Sequence, residues 1–517
     1  MKILKKPSEI YSEYRKCVEY NESIGLYDNV RRNENFFNDK QWEGVNAPDL
    51  DKPVFNFLKP VINYYVAMLV SDDIAVSLKS SFKDDDDTKK LIKAAESEIS
   101  RIMENTNVHS KQRRMLRNAA VDGDGCFYIY FDPDAESVGG SYGEIRVENI
   151  ENTHILVSNP VIDELQEQNF IIIEQLMPVE AVRDEAILRG MSKLEADSIC
   201  ADCEIDPYSM SIDDVTTVII KLWKENGTVH MIKCTRNMTV CGEIDTGYAL
   251  YPVVMMNWEK VRNSYHGASV VTGKISNQIF VNKLYAMAMQ YVRQRAFPKL
   301  LYDKSKIPRW SSRIGDAIAV NGNPNEAVAA NFVSADMSSQ VLELIDRTIS
   351  QTKELMGASD AALGNVKPDN TSAIIAVQKA SAISLELQKA EFYKFVEDYV
   401  RIFLDIMRVN YGIRDILIEN DENEKEIVSI DFNELSLHRM SMDVKIGAAS
   451  YWSELMQVQT LDNLYLKGII DDSLVYLESM PDGYIKNKSQ IIKSLKDERE
   501  KGDKEGKKQS NLKNIRS

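Results

Sequence analysis

The chain has 517 residues and a mass of 58.8 kDa, too long for one compact core, so about two to four domains or layers are expected. Hydrophobic residues make up 44% and charged residues 27%, the range of an ordinary globular protein rather than a disordered one. The formal net charge of −16 excludes a protein that wraps DNA through general basic charge.

The N-terminal run MKILKKPSEI has no apolar core behind its lysines and does not read as a secretory signal. Residues 8–37 read as helical and mostly polar, with Tyr11, Tyr14, Val18 and Ile24 as an intermittent stripe. After a Pro/Asp loop at 47–53, Phe55 to Val70 is apolar on most faces and reads as a buried helix. Within it, Pro60 to Val70 is the longest nearly apolar stretch, far short of the roughly 20 residues a membrane helix needs. Ile74 to Leu78 looks like a strand, Asp84 to Asp87 like an exposed acidic loop, and residues 88–122 like two helices.

The period then changes. Segments 126–132, 144–150, 170–176, 216–223, 229–234 and 250–256 are short, β-branched and aromatic, with Gly, Asp or Pro between them, so they read as strands. Residues 268–297 return to a helical pattern with Ile275, Ile279, Leu284, Ala288, Tyr291 and Val292 in a stripe that Pro298 ends. Residues 299–336 hold strand-like pieces (LLYD, AIAV) and turn residues, and a helix follows at 337–356. Beyond a Gly/Asp/Pro/Asn loop at 357–370, Thr371 to Tyr411 contains no Gly or Pro and reads as the strongest helix of the chain. As a single rod it would span about 60 Å; the choices are a coiled coil, a span through a large assembly, or a kinked pair. Asn370 or Thr371 suits its N-cap and Gly412 its C′ position.

Catalytic signatures fail. GASVVTGKI (267–275) lacks both the glycine and the hydroxyl of a phosphate loop. GDGCF (123–127) opens a strand rather than a helix and reads as a turn, of type I′ in the simplest case. Cys200, Cys203, Cys234 and Cys241 could together hold zinc, but the second pair is spaced too widely for a metal knuckle, and buried free thiols are the simpler reading. Six cysteines are too few for a disulfide scaffold and suit a reducing cytosol. His109, His154, His230, His266 and His438 are scattered and read as ordinary histidines. From Lys486 to Ser517, eleven Lys and Arg stand against five Asp and Glu, a +6 tail on a body of −22. Such a tail either aids solubility or contacts a partner or nucleic acid.

Four stretches carry a resemblance. They are NENFFNDKQWEG with the Pro/Asn run after it (33–56); DGDGCFYIYFDPD through EIRVENI to HILVSNP (122–160); YHGASVVTGKISNQIFVNKLYAMAMQYVRQRAFPKLL (265–301); and residues 356–412, from MGASDAALGNVKPDN to the end of the long helix. In this order the chain resembles the portal proteins of tailed double-stranded DNA bacteriophages. The resemblance implies an α+β portal fold that closes into a ring. Its parts would be a wing (1–264, with return strands at 413–447), a first stem helix (265–298), a clip (299–336), a second stem helix (337–356), a tunnel loop (357–371), a long helix (372–411) and a crown with the basic tail (448–517).

It also implies a homo-oligomer, usually a dodecamer, at one capsid vertex of the virion, assembled in the host cytoplasm. Double-stranded DNA would pass through the ring during packaging and ejection. Terminase, major capsid and scaffold proteins and head–tail adaptors would be partners. No catalysis, cofactor, metal or membrane contact is implied. Lys367, Asn370 and Asp360 would face the DNA channel, and Lys299, Lys304, Lys306, Arg309 and Arg313 would dock terminase or adaptor. A plain solvated basic face stands beside that reading of the clip cations, and carbonyl capping beside that of Lys367. The alternative class is another virion structural protein, of shell or filament, without DNA passage.

Overall fold

The structure, a computed structural model, describes residues 3–70, 74–80, 86–136, 142–202, 215–296, 300–311, 317–326, 329–331, 339–358, 385–419, 425–435, 440–446, 451–470, 472–480 and a few helical positions between 488 and 495. It is a mixed α+β chain in two compact units. The first comprises residues 1–67 and 80–440, the second 68–79 and 441–517.

The N-terminal region of the first unit is helical, as two helices, α1 (Pro7–Ser23) and α2 (Leu26–Phe37). Gly25 separates them at φ +70°, a left-handed conformation in which a Cβ is strained. The stripe shifts accordingly: Ile10, Tyr14 and Val18 are buried, Tyr11 is half-buried and Ile24 lies exposed at the break. Helix α3 (Leu58–Val70) starts three residues later than the pattern suggests and buries one face, Leu58, Val61, Ile62, Tyr65 and Leu69, while Pro60, Asn63 and Ala67 are exposed. Helices α4 (Asp86–Asn105) and α5 (Val108–Asp122) follow. Of the expected acidic loop, Asp86 and Asp87 are the first residues of α4, and Asp84 and Asp85 lie outside the described residues.

Two antiparallel sheets form the core. The first has the order β3-β2-β9, with β2 (Asp124–Glu136), β3 (Tyr142–Ile150) and β9 (Val253–Asn257). The second is a meander of β4 (Ile155–Val157), β5 (Phe170–Pro178), β6 (Val215–Glu225), β7 (Thr228–Cys234) and β8 (Thr239–Asp245). All six strand-like segments of this region are strands, and β4 and β8 are additions. β4 is three residues long, and β8 carries Gly and Glu in its middle, so neither announces itself by period.

Helix α1 lays Ile10, Tyr14 and Val18 on Leu156, Phe170, Ile172, Ile219, Trp223 and Ile232 of the second sheet. Beneath it Lys221 is fully buried and bonded to Glu13 at 2.5 Å and to the Leu4 carbonyl at 3.0 Å. Helix α6 (Val179–Leu188), followed by the single turn α7 (Lys193–Ala196), packs Val179, Val182 and Ala186 with Val218, Val240 and Ile199.

The stem-like pair is α8 (Ile275–Ala296) and α9 (Gln340–Leu355), joined through a two-stranded unit of β10 (Leu300–Tyr302) and β11 (Ala329–Asn331). Both helices are shorter than their periodic patterns. A 3-10 turn at Thr272–Lys274 precedes α8, and AIAV (317–320) has no regular secondary structure.

Of the expected long helix the structure describes α10 (Glu386–Asn410), which spans about 37 Å at 1.5 Å per residue; Leu385 before it is a turn, and 371–384 lie outside the described residues. Its stripe is the core of the unit. Phe395 meets Phe127 of β2 edge-on at 4.9 Å, and Tyr399 and Phe403 continue the aromatic row. Gly412, at φ +57°, ends it as expected. A hairpin of β12 (Ile413–Glu419) and β13 (Lys425–Asp431) follows.

In the second unit β1 (Ile74–Ser80) pairs with β14 (Met440–Ile446). Helices α11 (Tyr451–Leu466) and α12 (Ser473–Ser479) are linked by Tyr476, which donates to Asp462 and stacks near Tyr465.

The segment GDGCF is not a hairpin turn. Gly123, at φ +104°, caps α5, and β2 begins at the next residue. The two-residue hairpin is Asn226-Gly227 between β6 and β7, where both residues have positive φ. A Cβ at Gly123 would stand 2.6 Å from the Gly267 carbonyl oxygen. Gly123→Ala is therefore expected to cost about 2 kcal/mol or more, read as a lower urea midpoint at unchanged slope. An unchanged midpoint would show that this backbone crossing is not tight.

Candidate functional site

Three of the residues expected to dock a motor or adaptor, Lys304, Lys306 and Arg309, fall on the turn after β10. Tyr302 packs against Trp310, with ring centroids 5.7 Å apart. The Asp303 carboxylate accepts from the Ser305 amide and hydroxyl, bonds that also hold its pKa below the usual value. Ile307 is buried and pins the turn. Lys304 and Arg309 are exposed. Lys306 is half-buried and donates to the Glu326 carbonyl at 2.9 Å, so this cation holds the turn to the segment before β11. The structure thus brings Lys304, Lys306 and Arg309 onto one turn. Lys299 and Arg313 lie outside the described residues, as do Asp360, Lys367 and Asn370 of the expected channel loop.

What carries this turn is a buried polar assembly at the root of α8. Asp124, 1% exposed, accepts four bonds: from Asn257 Nδ2 at 2.8 Å, the Gly267 amide at 2.6 Å, Asn152 Nδ2 at 3.1 Å and His266 Nδ1 at 2.7 Å. Asn257 also donates to the Tyr265 carbonyl, and the Tyr265 hydroxyl reaches Asn21 and the Ile155 carbonyl. His266 is thus a buried structural histidine, a role its place in the sequence did not reveal.

One turn into α8 a ladder of amides begins. Gln278 donates to the Phe55 carbonyl at 2.8 Å and to Asn282, and accepts from the Phe57 amide. Asn282 donates to Gln41 at 2.6 Å. The Gln-Trp segment and the Gln/Asn helix, far apart in sequence, are therefore one joint. Asn277 bonded to Thr352 at 3.0 Å, and the Tyr65 hydroxyl bonded to the Met356 carbonyl, fix α9 beside it.

Other charged clefts are internally paired. Between α10 and β9, Lys394 meets Glu164 at 2.5 Å, Lys260 meets Glu391 at 3.2 Å and Arg401 lies 3.8 Å from Asp398, whose pKa burial raises. A second cleft holds Glu34, gripped on both oxygens by Arg117, beside Asp122. Burial, and then the Glu34 charge, push the Asp122 carboxyl up to about 8.

The described cysteines do not assemble. Cys200 is exposed, Cys234 and Cys241 are buried in the second sheet, and Cys203 lies outside the described residues. Burial raises the Cys234 thiol to about 12, which suits an inert core thiol. Among the described residues, the grouping with metal-ligand geometry is instead Glu225, His230 and Glu243. Strand alternation across the β6–β7 hairpin is the signal that could have found it. No described helix is long and apolar enough to cross a membrane. No protein-family model matches the chain, and a search of curated proteins returns no significant match.

Asp124→Asn exchanges two of the acceptor's lone pairs for donors facing donors. It is expected to lower stability by about 3 kcal/mol, read by urea unfolding, because a buried network loses its acceptor. Asp122 has the opposite sign of pH dependence from a salt-bridged carboxylate. The native carboxyl keeps its proton up to about pH 8, whereas the unfolded one loses it near about 3.9. Stability falls as pH rises through that window, since the native state binds more protons. Asp122→Asn should flatten the fall of the urea midpoint between about pH 5 and about pH 9; parallel curves for parent and variant would refute the shift.

Proposed function

We propose that the chain is a portal protein: a ring-forming subunit at one capsid vertex, through which double-stranded DNA is packed and released and on which terminase and head–tail adaptors dock. The observation that carries this reading is the exposed apolar surface of the α8–α9 hairpin. Phe280, Met287, Met289 and Val292 of α8 and Leu342, Leu344 and Leu355 of α9 are all 43% exposed or more in the single chain. Leu355 reaches 72%. A helical hairpin anchored at its root by buried amides and apolar on its outside needs a neighbour. Repeating one head-to-tail contact by rotation closes a ring.

Two further features support the reading. The hairpin ends in a small two-stranded unit bearing Lys304 and Arg309, a compact surface for a docking protein. The acidic balance of the body suits a wall past which DNA slides, since many lysine–phosphate contacts would hold it.

The test is mass and shape. A dodecamer of 58.8 kDa chains would weigh about 700 kDa. Light scattering and electron microscopy are expected to show a closed ring with a central channel. The double variant Met287→Glu with Val292→Glu should yield a folded monomer, with unchanged circular dichroism, because charge on the hairpin face opposes its burial. A stable parental monomer at micromolar concentration, also with scaffold protein present, would refute the reading. So would rings that survive both substitutions.

A further inference from the structure

The second sheet carries a group of donor atoms to which the proposed function gives no role; Glu225 accepts from the Trp223 indole at 3.3 Å, and Lys5 donates to both oxygens of Glu243. Glu225 ends β6, His230 lies on β7 and Glu243 on β8, three neighbouring strands of the meander. Trp223 pairs with His230 across the hairpin, and Glu225 stands two residues beyond Trp223 on the same face. The indole and imidazole rings lie nearly parallel, 5.7 Å apart, and this packing sets the imidazole's orientation. One donor atom from each of Glu225, His230 and Glu243 lies within 4.8 Å of the others.

The imidazole supplies the second observation. Its Nδ1 is shielded from solvent and has no hydrogen-bond partner, although Glu243 Oε1 is 3.2 Å away. A ring nitrogen close to a carboxylate but not bonded to it has its lone pair available to a shared cation. A cation already stands there. Lys5 Nζ is 2.7 Å from Glu243 and 3.6 Å from Glu225, and 5.4 Å from the centre of the Trp223 ring. The ammonium neutralises the two carboxylates but leaves the imidazole nitrogen unsatisfied.

We propose that Glu225, His230 and Glu243 form a site for a divalent transition metal ion of the Zn²⁺ or Co²⁺ type, and that Lys5 occupies its charge position when the metal is absent. One imidazole and two carboxylates favour these ions over the oxygen-only preferences of Ca²⁺ and Mg²⁺. Three protein ligands leave a coordination position for water. The facing Asp245 carboxylate is held by the Gly247 amide at 3.0 Å and is not a ligand. Binding displaces Lys5 and ties three strands together at the edge of the meander, and so couples the metal to the docking of residues near Lys5.

The experiment uses the full chain, stripped by a chelator and dialysed. Co²⁺ is titrated and followed by its visible absorption, and Zn²⁺ is then titrated by calorimetry. One ion per chain is expected, with a thermal midpoint raised by a few degrees at saturation. His230→Ala should weaken binding by at least about tenfold, since a protein ligand is lost. Lys5→Ala should tighten it about two- to fivefold, the scale of one exposed ion pair. Glu243→Gln, at a position a third exposed, is the second ligand variant and is expected to weaken binding while the metal-free fold is kept. The proposal is overturned if the parent binds neither ion stoichiometrically. It is equally overturned if folded Glu243→Gln and His230→Ala proteins bind like the parent, or if Lys5→Ala weakens binding.

Discussion

The Asp124 carboxylate is the constraint on which the rest of the first unit depends. A charge with 1% exposure is tolerable only where donors replace water, and here four converge: two side-chain amides, one imidazole and one backbone amide. They come from β9, from the short turn before β4 and from the segment leading to α8. One acceptor therefore fixes the crossing of three chain segments. Gly123 and Gly267 make that crossing possible. A Cβ on Gly267 would lie 2.8 Å from the Gly123 carbonyl oxygen, so the two backbones pass with no room for side chains.

From this point the direction of α8 is set, and the amide ladder continues the control one turn further. Gln278 and Asn282 read the backbone of residues 55 and 57 and the side chain of Gln41. Buried amides bond in fixed directions, whereas apolar contacts can slide. The root of the hairpin is held by polar bonds while its outer faces remain apolar. That division suits a piece whose position must be defined before a neighbouring copy covers it.

Buried charge elsewhere serves the fold in the same way. Asp405, 1% exposed on α10, accepts from the amides of Ala249 and Leu250 and from Arg408, and so ties the loop before β9 to the core helix. Lys221 and Glu13 join α1 to the second sheet. Arg414 lies 3.5 Å from the Tyr411 ring centre and donates to the Gly143 carbonyl. Each of these groups has a structural partner, whereas the Nδ1 of His230 on β7 is shielded from solvent without a hydrogen-bond partner.

Much of the fold was legible in the sequence because local period determines it. The β-branched runs at 170–176 and 216–223 could only be strands, and the aromatic three-and-four stepping from Phe392 to Met407 could only be a buried helix face. Breaks were less legible. Gly25 in its left-handed conformation splits a helical stretch whose composition alone permits continuity, because a single dihedral decides a break and many residues decide a period. AIAV has the composition of a strand but gains no partner among the described residues, since pairing is a tertiary event. The site residues divide in the same way. The exposed cations Lys304 and Arg309 were readable as a basic turn. His266 and His230 were not, because their meaning comes from Asp124, 142 residues away, and from carboxylates on two neighbouring strands. Sequence by itself determined the elements with a strong local period, the β-branched strands and the aromatic face of α10. Only the tertiary structure decided which polar side chains meet, because a buried donor finds its acceptor by chain crossing and not by spacing.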